Sequence, residues 1–462
     1  MEHVQEQPWK RELAALTQLA IPVVLSELGW MAQGVVDTIM VGRLGPAAIG
    51  AVAVGNAVFY TPCLFGIGIL LGLDTMVAQA YGRKDYDECH RWLAQGIYLG
   101  AFITPLLMLI IAGLSVAYSH MGVSTEVSVP ASSYMRILDW SVFPLLVYAA
   151  CRRYLQGVGQ VRVITLTYIA ANLLNWGGNW ALIYGHLGLP AMGVRGSALS
   201  TVIARISMGL SLLGFAWRHE RSRGHPLFKH WARPQLDRLR ELVRIGLPAA
   251  GQITLEVGAW NVATLSAGWL GPVALATHQI AINYASITYM VPLGISAAAA
   301  VSVGHAIGAG DKARARRAGW LSLALGCSFM LVAGIIFLIA PRPLIELYTS
   351  DPRVLAVGPS LLWIAAAFQI FDGVQTVCTG ALRGLGETRA PMLANFLGYW
   401  ILGLPLGLIL CFVFKWGIYG TWIGLTLALI VISSILLHRW RHASLHIDAV
   451  PGTHEPTASF EL

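Results

Sequence analysis

The sequence predicts an all-α polytopic membrane protein of twelve transmembrane helices built as two repeats, and three observations predict it. Of 462 residues, 56% are hydrophobic and only 12% charged, against roughly 25% charged in an ordinary soluble domain. Apolar runs of about 20 residues, long enough to cross a hydrocarbon core of roughly 30 Å, follow one another along the whole length. The stretch from Ile21 to Asp85 also recurs from Leu247 to Asp311. Displaced by 226 positions, Pro22 falls on Pro248, Leu44-Gly45-Pro46 on Leu270-Gly271-Pro272, and Gly68 on Gly294. Ala80, Gly82, Asp85 and Arg91 fall on Ala306, Gly308, Asp311 and Arg317. These are turn, kink and loop residues, fixed by backbone geometry more firmly than apolar packing positions are. A register without gaps is hard to obtain from shared apolar composition alone. Many transporters are two repeats around one site.

The first repeat holds predicted spans at 14–42, 48–80, 93–118, 129–156, 162–185 and 192–217. The second holds 242–268, 274–306, 318–341, 355–383, 390–414 and 418–438. The expected domains are therefore 1–217, a basic linker at 218–241, a second unit at 242–438, and a polar tail at 439–462. The linker carries seven Lys/Arg between Arg218 and Arg240, with Pro226 and Pro234, and reads as amphipathic helical stretches. The tail from His442 is rich in polar residues and reads as disordered. The polar lead from Met1 to Glu12 lacks the basic start, short apolar core and cleavage site of a signal peptide, so the first span is expected to stay.

Lysine and arginine set the orientation. With both termini cytoplasmic, inside segments hold 23 of the 31 Lys and Arg. Outside loops hold five: Arg43, Arg195, Arg342, Arg353 and Lys415. Arg136, Arg205 and Arg244 fall within or at the edge of spans. The asymmetry accounts for the net charge of +8 and removes the nucleic-acid reading, because no basic segment is interleaved with aromatics. A multi-pass membrane protein with both termini on the cytoplasmic side is expected.

Several function classes are excluded by what the chain lacks. It has no G-x-x-x-x-G-K-[ST], so no nucleotide partner and no ATP-driven pump in one chain is expected. Gly66, Gly68 and Gly72 miss the dinucleotide fingerprint by one position inside an apolar span, where close helix packing explains them better. Six scattered cysteines without a Cys-x-x-Cys read as small packing residues. No cofactor is expected, and energy for transport must come from an ion gradient. A membrane-embedded enzyme such as a lipid transferase lacks a visible metal or nucleophile constellation.

Chemistry should reside in carboxylates inside spans, because a charge there costs at least about 2.5 kcal/mol on insertion scales. Six qualify: Glu27, Asp37, Asp74, Asp139, Glu256 and Asp372. Asp74 is expected to reach Arg83 or Lys84 near the interface. Asp139, three residues after Arg136, is placed to pair with it on one helix face. Glu256 and Asp372 each sit ten or more residues from both ends of their spans, too deep to snorkel, with no Arg or Lys within a turn. Such a pair can bind a proton, coordinate sodium through oxygens, or hold an organic cation. In span five, Asn172, Asn175 and Asn179 fall at i, i+3 and i+7 on one helix face. Their amides can bond Asp37, supply oxygens to an ion, or glue helices together. The corresponding positions of the second repeat, at an offset of 227, are Tyr399, Leu402 and Leu406. His278, Gln279 and Asn283 in span eight are weaker candidates, a satisfied interior histidine being the better reading.

With these residues assembled, the chain resembles the multidrug and toxic compound extrusion (MATE) transporter family, in its bacterial NorM-like branch. The motifs are Val36-Asp37-Thr38-Ile39-Met40-Val41-Gly42, Gln79-Ala80-Tyr81-Gly82 and Leu255-Glu256-Val257. His278-Gln279-Ile280-Ala281-Ile282-Asn283, Asp372-Gly373-Val374-Gln375 and Leu382-Arg383-Gly384 complete them. The resemblance covers about residues 12–440. It implies two six-helix lobes around a central cavity, and antiport of cationic drugs against sodium or protons by rocking of the lobes. It implies that Glu256 and Asp372 form the cation site of the C-lobe, and that Asp37, Asn175 and Asn179 match the N-lobe site. Sodium is thus a possible ligand at either. Further possible site residues are Glu27, His278, Asn283, Asn172 and Tyr399. Two departures stand out. Phe368, four residues before Asp372, occupies a position where close relatives have a tyrosine, removing one oxygen that would serve sodium. Glu27 has no counterpart in the family pattern.

The expected function is therefore multidrug efflux by a monomer, with small cationic drugs and the lipid bilayer as partners. The alternative is a lipid-linked oligosaccharide flippase of the same superfamily. A flippase needs a basic cavity for a diphosphate, whereas the span interiors offer chiefly Arg136 and Arg205 against six carboxylates.

Overall fold

The computed structural model describes residues 8–119, 125–225, 227–231 and 233–446, and among them there are helices and no strands. Twelve helical segments match the twelve expected spans. In the first repeat they are Pro8–Gly42, Pro46–Ile69 with Gly72–Gly82, Tyr86–Ser119, Thr125–Asp139 with Val142–Gly157, Val161–Tyr184 and Val194–Ser222. In the second they are Leu236–Trp269, Pro272–Gly308, Lys312–Ile339, Pro352–Gly384, Arg389–Asn395 continuing to Val413, and Ile418–Leu445. A short helix, Pro341–Glu346, precedes the tenth.

The repeat is visible in the turns. Gly45 and Gly271 hold φ of 115° and 104°, and each is followed by a proline at the first helical position. Such a backbone is cheap only for glycine, and proline there gives up an N–H that no helix would use. Several helices overrun the expected spans at one end, as Pro8–Gly42, Tyr86–Ser119 and Lys312–Ile339 do at their starts and Val194–Ser222 at its end. Among the described residues, nine segments are long and apolar enough to cross a membrane by themselves. The other three are 125–157, which breaks at Trp140–Ser141, the asparagine-bearing Val161–Tyr184, and Leu236–Trp269, which carries Glu256. The first of these is divided into helices of 15 and 16 residues, each too short to cross alone.

Three segments are irregular. The second span pauses at Leu70–Leu71, the fourth breaks where Ser141 Oγ donates to the Leu138 carbonyl at 2.5 Å, and the eleventh has π-helical turns at Phe396–Gly403 and Ile409–Val413. Inserted turns of this kind redirect side chains within a membrane helix.

The helices gather into two compact units. One holds residues up to Thr17, Ala78–Lys84 and everything from Gly258; the other holds Gln18–Val77 and Asp85–Val257. In the second of these, Gly246 packs so tightly that a Cβ on it would lie 1.8 Å from the Ile69 carbonyl oxygen. The expected linker is shorter than 218–241, because helix runs to Ser222 and resumes at Leu236. Between them the short helix Leu227–His230 lies against the third span. There Gln95 donates to the Arg233 carbonyl at 3.3 Å and accepts from the Gln235 N–H at 2.9 Å. Tyr98 donates to the Trp231 carbonyl, and Arg238 pairs with Glu88. Helix continues through the start of the expected tail to Leu445; residues 447–462 of that tail, and 1–7 of the polar lead, lie outside the described residues.

Candidate functional site

The unit containing Gln18–Val77 and Asp85–Val257 brings Asp37, Asn175 and Asn179 together. Asn179 Nδ2 donates to Asp37 Oδ1 at 2.6 Å and to Asn175 Oδ1 at 3.2 Å. Asn175 Nδ2 donates in turn to Thr201 Oγ1 at 3.3 Å. The arrangement arises because positions 175 and 179 are one turn apart on the fifth span and face the first and sixth. Ser200 Oγ ties those last two turns together by donating to the Asn175 carbonyl at 2.8 Å. Asp37 is 5% exposed, Asn175 1% and Asn179 0%. Asn179 Oδ1 is buried without a hydrogen-bond partner, an uncommon state for a buried acceptor. The cluster therefore offers a carboxylate and amide oxygens to a cation, with no lysine or arginine bonded to the carboxylate among the described residues. Asn172, the third asparagine of the stripe, turns to the Gly29 carbonyl at 3.3 Å instead. It serves helix adhesion.

Thr201 went unnoticed in the sequence, although a signal exists. Ser197, Thr201 and Arg205 recur every four residues along the sixth span and form a polar stripe. Arg205 donates to Ser141 Oγ at 2.5 Å and to the Tyr60 hydroxyl at 2.9 Å, with its guanidinium 4.7 Å from the Phe59 ring centroid.

Three carboxylates are not placed as expected. Glu27 forms a buried ion pair with Arg152, on the fourth span, and is thereby occupied structurally. Asp74 pairs with Arg153 at 3.5 Å, rather than with Arg83 or Lys84. Both corrections have one cause: the end of the fourth span packs inward, so Arg152 and Arg153 are interior residues and not part of a solvated loop. Asp139 does not pair with Arg136, whose guanidinium turns to Ser132 Oγ at 3.4 Å, and Asp139 Oδ1 is buried without a hydrogen-bond partner. Both residues lie in the unbroken helix Thr125–Asp139, so the spacing allows the pair; Arg136 is exposed and bonds backward along the helix instead.

Glu256 is half-buried, with Gln252 one turn back on the same helix. No Lys or Arg lies within ion-pair distance of it among the described residues. Asp372 belongs to the other unit and is 4% exposed. One turn before it, Phe368 meets Trp260 edge-on at 5.5 Å and Trp422 at 6.0 Å between ring centroids. Trp422 also donates its indole N–H to His278 Nδ1 at 3.1 Å, and Thr264 Oγ1 lies 3.0 Å from His278 Nε2. An indole N–H only donates, so His278 carries its proton on Nε2 and is neutral. It is a satisfied interior histidine. Tyr399, fully buried in the π-helical segment, donates to Gln375 Oε1 at 3.4 Å, and Gln375 reaches Asn395 at the same distance. Asn283 is half-buried on the eighth span.

Comparison with known proteins fits this architecture. The MatE family model matches twice, over residues 22–181 and 248–409, and its two matches begin 226 residues apart, the offset of the internal repeat. A probable multidrug resistance protein NorM of Mesorhizobium japonicum is 37% identical over 446 residues, covering 94% of this chain and 95% of that protein. The multidrug resistance protein NorM of Burkholderia vietnamiensis is 36% identical over 456 residues, covering 96% of each. Among solved structures, the outward-facing conformation of a multidrug resistance MATE family transporter of the MOP superfamily superposes with a TM-score of 0.84 at 19% identity, covering 95% of this chain and 97% of that one. The fold is thus the twelve-helix, two-lobe fold of these transporters, and the chain belongs to the MatE family, in its NorM-like branch, as a multi-pass membrane transporter and not an enzyme.

Proposed function

We propose that the protein is a multidrug efflux antiporter of the bacterial inner membrane, exporting cationic amphipathic drugs in exchange for protons or sodium ions. Its two lobes rock about a central cavity to give alternating access, both termini are cytoplasmic, and one chain is the working unit. The observation that carries this reading is the Asp37–Asn179–Asn175–Thr201 cluster. A carboxylate held by neutral amides keeps its charge for an exchangeable cation, whereas Glu27 and Asp74 have spent theirs on arginines. Glu256 and Asp372 are each further cation-binding carboxylates in this reading. The names of the NorM relatives support drugs as the cargo.

The coupling ion follows from the donors. Phe368 is spent on Trp260 and Trp422 and offers no oxygen beside Asp372, which favours protons at that site. The Asp37 cluster offers several oxygens and suits sodium equally.

Expression in a drug-sensitive bacterium tests the cargo: tolerance to ethidium and norfloxacin should rise, and no gain with protein present in the membrane overturns the reading. Efflux driven separately by imposed sodium and pH gradients identifies the ion. Collapse with a protonophore but indifference to sodium supports protons; efflux restarted in de-energised cells by sodium alone assigns sodium.

A further inference from the structure

Arg205 is 5% exposed, yet every group that touches its guanidinium is neutral: the Ser141 and Tyr60 hydroxyls and the faces of Phe59 and Tyr60. Among the described residues no Asp or Glu lies within ion-pair distance of it. Arg152 and Arg153, buried in the same unit, each meet a carboxylate directly. A buried guanidinium without a nearby negative charge is costly, so its countercharge must act through space. The titratable groups facing it are Tyr60 and Cys63 on the second span, Tyr134 on the fourth and Asp37 on the first. Asp139 faces Cys63 from the fourth span, two residues before the Ser141 that Arg205 touches. The carboxylate that acts on Arg205 is Asp37, joined through Asn179 and Asn175 to Thr201, which lies one turn before Arg205 on the same helix face.

We propose that Arg205 is the resident counter-cation of the Asp37 site, a positioning residue that keeps the empty carboxylate charged and weakens each cation it takes up enough for release. The inference rests on the reading of Asp37 as a cation-binding carboxylate. In a buried site a carboxylate with amides alone holds a cation too firmly for an exporter. A fixed positive charge on the order of 8 Å away, at an effective dielectric of about 20, weakens a monovalent cation by roughly 10- to 30-fold. The geometry suits a through-space effect: hydroxyls and aromatic faces hold the guanidinium in place, one turn from the site, where it cannot swing onto the carboxylate.

The test uses the full chain in lipid nanodiscs and tetraphenylphosphonium, a permanent monocation, at one fixed pH. Arg205→Gln should tighten its binding by about tenfold or more, Arg205→Lys should stay within about threefold of wild type, and Asp37→Asn/Arg205→Gln should lose the gain. Unchanged affinity in Arg205→Gln, or Arg205→Lys behaving like it, overturns the proposal. A melting-temperature cycle gives a second readout. Asp37→Asn leaves Arg205 unbalanced and should melt lower, with part of the loss recovered in the double variant; additive effects overturn the proposal. Should Arg205→Gln fail to assemble, recovery of assembly in the double variant supports the counter-cation and continued failure overturns it. If tetraphenylphosphonium does not bind wild type, the drug-export reading fails, and the melting cycle alone decides the role of Arg205.

Discussion

Asn179 donates its side-chain amide to Asp37 across 2.6 Å, although 142 residues separate them in the chain. That bond orients the carboxylate while leaving its charge intact, since an amide donor neutralises nothing. Asp37→Asn should therefore reduce drug efflux by about tenfold or more, and less completely than Glu256→Gln, because Asn179 can still donate to the amide oxygen and hold it in place. Whole-cell efflux of ethidium, normalised to protein in the membrane, measures it. Full activity in Asp37→Ala leaves the asparagine stripe a structural role only.

Glu256→Gln and Asp372→Asn should each abolish coupled efflux while leaving expression nearly unchanged. The amides keep shape and hydrogen bonding and remove the charge that an exchangeable ion requires. A variant of either residue that exports at the wild-type rate takes that residue out of the site.

The Glu27–Arg152 pair predicts a stability effect with a distinctive signature. Glu27→Gln strands a buried guanidinium and should cost about 3–5 kcal/mol, whereas Glu27→Gln with Arg152→Met removes both charges and should recover most of it. Thermal melting of the four proteins in detergent reads the coupling, and equal losses in the single and double variants contradict it.

Gly246 and Gly113 make a matched comparison. A Cβ on Gly246 meets the Ile69 carbonyl oxygen at 1.8 Å, and backbone cannot step aside; a Cβ on Gly113 meets nothing within 4 Å. Gly246→Ala should lower the melting temperature by several degrees, as overpacking costs typically about 1–3 kcal/mol. Gly113→Ala should be neutral or slightly stabilising, since alanine is the better helix former.

The sequence by itself determined the membrane class, the twelve spans and the internal repeat. Apolar length and Gly-Pro turns such as Gly45-Pro46 and Gly271-Pro272 act locally, and the bilayer leaves a helix as the only way to satisfy their backbone. It also determined the Asn175–Asn179 face, because helical periodicity places those two amides together whatever they meet. Only the tertiary structure decided which charges are spent. Glu27 and Asp74 find Arg152 and Arg153 on another helix, whereas Asp139 loses the Arg136 that lies three residues away, because pairing in a buried interior follows helix packing and not distance along the chain. His278 likewise became a fixed neutral donor–acceptor only once Trp422, 144 residues on, presented an indole N–H to it. Periodicity reveals which face of a helix is polar; what that face meets depends on which helix lies opposite, and that information is spread over the whole chain.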